Sequence, residues 1–101
     1  MTIQKFEDLV AWQKAQDLSV DIYNLFKNSK DFSFKDQICR ASVSVSNNIA
    51  EGFDRRNPKE FRRFLFYSIA SCAEVKSMLY LARRLNYIKD EAQLKLIKLC
   101  T

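Results

Sequence analysis

Apolar residues recur along this chain at alternating spacings of three and four, the pattern of helices that each bury one stripe. Between Phe6 and Lys27 the positions Trp12, Ala15, Ser19, Ile22 and Phe26 keep that spacing. Ala11, Leu18 and Leu25 widen the stripe, and Asp8, Asp17 and Asp21 fall mostly off it. The polar run Lys27–Ser33 predicts the first loop. A second helix is predicted over 33–53, with Ser33 as N-cap and Asp36 and Gln37 forming a loose capping box. Its seam is Ile38, Ala41, Val45, Asn48 and Gly52, flanked by Ser42 and Ile49. Small and polar residues therefore stand where leucine would be expected.

The pattern breaks at Asp54–Pro58. Asn57 reads as an N-cap and Pro58 as a first helical residue, where its missing N–H costs nothing. A third helix is predicted over 58–86. Phe61, Phe64, Ser68, Ser71, Val75, Met78, Ala82 and Leu85 form its seam, and Leu65, Cys72 and Leu79 a second row. Such a helix is about 43 Å long at 1.5 Å per residue, so only a partner of similar length can cover it. A fourth helix is predicted over 90–101, with Gln93 three residues after Asp90 completing a capping pair. Its stripe is Leu94, Ile97 and Cys100 or Thr101. It stops far short of helix 3, which fits a further C-terminal segment or an interface covering the end of helix 3.

Composition narrows the picture. One Gly and one Pro in 101 residues leave few sites for tight turns and exclude an all-β architecture. The expected fold is all-α: an up-down four-helix bundle forming one domain over 1–101. The chain has no histidine and three widely spaced cysteines, Cys39, Cys72 and Cys100. Disulfide scaffolds and the common zinc motifs do not fit, and thiols of a reducing cytosol do. The polar start is not a secretory signal, and the Phe64–Ala73 stretch is too short to span a membrane.

Catalysis finds little support. The usual proton shuttle near neutral pH is missing, and no glycine-rich phosphate loop or nucleophile-elbow motif occurs. Glu51 and Glu74 could meet inside a bundle as carboxylates do in di-iron proteins, but the ExxH pairs of such sites cannot exist here. No metal and no cofactor is expected.

Two segments could carry other chemistry. In Ser46–Gly52, Asn48 falls on the apolar seam, where its amide must be hydrogen-bonded, either as a polar pin of helix register or as a ligand contact. Glu51 could accept an interhelical hydrogen bond or pair with Arg40 or Arg55. Gly52 permits a close helix approach or lets the helix fray. The second segment is the basic cluster Arg55, Arg56, Lys59, Arg62 and Arg63, at +3 net with Asp54 and Glu60 counted. Positive charge at a helix N-terminus suits phosphate, and a solvated face with local pairing is the plain alternative. Arg83 and Arg84 form a weaker pair toward the far end. The whole chain carries +5, which suits an anionic partner without demanding one.

The stretches Phe6–Ala15, Gln37–Ala41, Ser46–Gly52 and Lys59–Phe61, with Ser44 and Glu74, together resemble the 23S rRNA-intervening-sequence proteins across nearly the whole chain. The resemblance implies a bundle assembled into a ring-like homopentamer. It also implies a relation to the accessory variability protein of diversity-generating retroelements, a basic nucleic-acid-binding partner of a reverse transcriptase. By position, Arg40, Asn48, Glu51 and Gly52 match the family's helix-2 motif. Five copies at +5 each would carry +25 on one ring. The expected function is a non-enzymatic, cytoplasmic, homo-oligomeric protein binding RNA or DNA. The alternative is a protein-interaction module, such as an accessory subunit of a reverse transcriptase, without nucleic-acid contact.

Overall fold

The computed structural model describes residues 2–99, with positions 94 and 97–99 described by backbone alone. The expected contributions of Leu94, Ile97, Cys100 and Thr101 to the last stripe lie outside the described side chains. A single 3-10 turn, Phe6–Asp8, precedes α1 (Val10–Phe26), α2 (Phe32–Asp54), α3 (Pro58–Arg84) and α4 (Asp90–Leu99). No strand occurs among the described residues. Each helix packs on its neighbour in sequence and α1 also packs on α4, so the four helices close an all-α bundle. The bundle measures 44 × 23 × 19 Å, its length set by the 27 residues of α3, about 40 Å of helix.

The helix starts differ from the pattern's expectation in two places. Leu9 is extended, so the first helix begins at Val10 and the preceding 3-10 turn packs on α1 and α2 as a separate piece. The N-cap of α2 is Asp31 rather than Ser33. Its Oδ1 accepts the Phe34 N–H at 3.1 Å, a reach that a residue three positions upstream of the amide has and Ser33 lacks. The third helix ends at Arg84. Asn86 turns left-handed, and the Asn86 and Tyr87 N–H groups close back on the carbonyls of Arg83 and Ala82. Leu85, expected on the seam, is consequently exposed.

Leu18, Ile22, Phe26, Ile38, Val75 and Leu79 fill the centre of the bundle. Leu18, expected beside the stripe of α1, is its middle. Ser19, expected on the seam, buries a hydroxyl with no hydrogen-bond partner. Trp12 is half-buried and meets Phe6 edge to face at 5.4 Å.

The α2–α3 contact is close at Gly52. A Cβ on Gly52 would stand 2.5 Å from the Cβ of Phe64, so Gly52 serves close approach rather than fraying. Ser42, Ser46 and Ser68 are buried. Ser42 donates to the Cys39 carbonyl at 2.8 Å, and Ser68 donates across the interface to the Val45 carbonyl at 2.9 Å. Gln16 of α1 donates to Ser46 Oγ at 3.0 Å. Asn48 is not the expected register pin. It is half-buried and its amide donates to the Ser44 carbonyl of its own helix at 2.8 Å. On the buried serine row of α2 and α3, the interhelical hydrogen bonds are those of Ser68 and Gln16.

At the opposite end, the Tyr87 hydroxyl donates to Asp31 Oδ2 at 2.7 Å. That bond, with the Phe34 amide, holds the Asp31 carboxyl below its ordinary value, and the same bond raises Tyr87. Arg83 pairs with Asp90. Cys39 is buried, which pushes its thiol up. Among the described residues no helix is long and apolar enough to cross a membrane.

Candidate nucleic-acid interface

The basic cluster sits where the chain leaves α2, turns, and enters α3. The turn contains no glycine, and Arg56 adopts the left-handed conformation at φ 55°. Asn57 then starts α3. Its side-chain oxygen accepts the amides of Lys59 at 2.9 Å and Glu60 at 3.1 Å, and its carbonyl accepts the Phe61 amide at 2.9 Å. The expected phosphate seat at this helix N-terminus is therefore already filled by the cap.

The five cations divide into two groups. Lys59 and Arg62 are exposed and form no ion pair among the described residues. The other three lie on aromatic rings. The Arg55 guanidinium is 5.0 Å from the centre of the Phe64 ring. Arg63 lies 5.2 Å from the same ring and 5.8 Å from Tyr67. Arg56 lies 4.8 Å from Phe53 and donates to the Gln4 carbonyl at 2.6 Å. Arg63 also meets both carboxylate oxygens of Glu60, each at 3.0 Å. Edge-to-face pairs Phe53–Phe61 at 5.7 Å and Phe64–Tyr67 at 5.6 Å lock the rings beneath.

The helix-2 residues do not join this cluster as a polar network. Glu51 is exposed and, among the described residues, pairs with neither Arg40 nor Arg55. Arg40 is exposed beside Asp36, Gln37 and Glu74, along a polar groove of about 550 Å³ between α2 and α3. Gln37 donates to Glu74 there at 3.2 Å. Glu51 and Glu74 both face solvent rather than the bundle interior. No group of three or more acidic or cysteine side chains able to hold a metal gathers among the described residues.

Two features escaped the sequence reading. One is the seating of arginines over rings, because the spacing places Phe64 on the seam and says nothing of what lies over its ring. The other is the outward face of α3. Phe66, Ile69, Ala70, Ala73, Ser77 and Tyr80 lie opposite the seam, with Phe66, Ile69 and Tyr80 exposed at 64, 62 and 51%. The signal lies in a second run of apolar positions, Phe66, Ile69, Ala70, Ala73 and Tyr80, out of phase with the first.

Compared with known proteins, residues 7–101 match the family described as 23S rRNA-intervening sequence protein. No curated protein matches the chain.

Proposed function

We propose that this chain, which belongs to the 23S rRNA-intervening sequence protein family, is a non-enzymatic cytoplasmic protein that self-assembles and binds RNA. The carrying observation is the clustering of Arg55, Arg56, Lys59, Arg62 and Arg63 around one turn, where, among the described residues, a single carboxylate, Glu60, is paired with them. Cations left without acidic partners are what a polyanion displaces counterions to reach. A homopentamer would multiply the +5 of one chain to +25 and turn a modest patch into a strong field.

Self-association is supported by the outward face of α3. Phe66, Ile69 and Tyr80 stand exposed along one side of it, and exposed apolar rows mark interaction surfaces more often than single exposed side chains do. The same face favours a second reading, a protein-interaction module serving a reverse transcriptase or another enzyme.

Light scattering after size exclusion, with and without RNA, tests both parts. The expected result is a pentamer whose RNA affinity falls steeply with salt, and loses at least tenfold when Arg55, Arg56, Arg62 and Arg63 become Ala with helicity intact. A monomer at micromolar concentration overturns the assembly. No RNA affinity at about 50 mM salt, where phosphate contacts dominate, overturns the RNA reading and leaves the interaction module.

A further inference from the structure

Three of the five cations in the cluster lie over aromatic rings, an arrangement that suits them to more than phosphate contact. Two of the Arg63 nitrogens, Nε and Nη2, meet the two carboxylate oxygens of Glu60. Arg56 has given a donor to the Gln4 carbonyl. Arg55 and Arg63 both lie over the Phe64 ring, and Arg63 also reaches Tyr67. Such groups are held against the rings beneath them. The Arg63 side chain remains 51% exposed, Tyr67 46%, and Arg55 is exposed as well. A planar cation resting on one ring can accept a second ring on its other side. Lys59 and Arg62, exposed and without ion pairs among the described residues, supply the mobile charges that follow a backbone.

We infer that this patch binds unpaired nucleotides by stacking their bases on the Arg55, Arg63 and Tyr67 planes, with Lys59 and Arg62 on the phosphates. The inference rests on the RNA-binding reading and narrows its ligand to single-stranded RNA. In a duplex the bases are already stacked on one another and unavailable to such planes.

The test uses the intact assembly and three probes of equal length: a single-stranded RNA, the same RNA annealed to its complement, and an abasic strand that keeps the phosphates. The single strand should bind about tenfold more tightly than the other two, the scale of losing one stacked base. The double variant Arg55→Lys, Arg63→Lys keeps the charge and removes the planes. It should retain weak binding and lose the preference. Tyr67→Leu, at a half-exposed position, should weaken the preference with the thermal midpoint unchanged. Equal affinity for all three probes, or an unaltered preference in both variants, overturns stacking and leaves a charge-based RNA protein. Failure of every probe to bind at low salt removes the RNA reading itself, and stacking with it.

Discussion

The two ends of the bundle each carry arginines beside a helix terminus, and they use them differently. At the far end Arg83 pairs with Asp90, and the neighbouring Tyr87 closes onto Asp31. The chain turns there through Asn86, a residue that tolerates the left-handed conformation well. At the near end the turn passes through Arg56, which does not, and the arginines lie on Phe53, Phe64 and Tyr67, with Glu60 the one carboxylate partner among the described residues. The far end has the makings of a joint. The near end keeps a residue that strains the backbone by about 1–2 kcal/mol relative to glycine, and its side chain ties the turn to Phe53 and the Gln4 carbonyl.

The largest expected effect separates these two clusters directly. Replacing Arg83 and Arg84 by Ala should leave RNA affinity within about twofold, while the near-end quadruple variant loses at least tenfold. Comparable losses from both ends, measured by fluorescence anisotropy at one salt concentration, would mean that binding follows overall charge and not the patch.

Next in size is Gly52→Ala. The added methyl group collides with Phe64, and overpacking of this kind costs about 1–3 kcal/mol against a gain of about 0.5–1 in helix propensity. The thermal midpoint should fall by several degrees, at about 4–8 °C per kcal/mol for a domain of this size. A midpoint that rises would show that α2 and α3 can separate without loss.

The smallest effect concerns the far-end joint and pH. The folded-state Asp31 carboxyl titrates below its ordinary value of 3.8. Its contribution is therefore present above that value and is lost as pH falls through the lower folded value. Tyr87 titrates above its ordinary 10.0, so the same bond contributes below pH 10 and is lost as pH rises through the folded value. Tyr87→Phe should flatten both limbs in urea titrations across pH. Unchanged limbs would show that the bond contributes nothing in solution.

Much of the architecture was legible in the sequence because helix periodicity is a local property. The Asn57–Pro58 start of α3 and the small-residue face of α2 could be read without knowing any neighbour. Where neighbours decide, the reading slipped. Leu18 and Ser19 differ by one position on the same wheel, and only the placement of α2 and α4 chooses between them. Asn48 matched a seam spacing, yet its nearest acceptor was the Ser44 carbonyl one turn back. At the site, the five cations were legible as charge. Their stacking was not, because it depends on how the first turns of α3 are rotated against the end of α2.

Phe64 makes that rotation consequential. Its Cβ is the atom a methyl group at Gly52 would strike, and its ring is the floor under Arg55 and Arg63. One side chain is thus both a spacer inside the bundle and a bearing for the surface above it. A small change in the gap between two helices is transmitted to the seat of two guanidinium groups, so a substitution that never touches solvent can detune what the surface recognises.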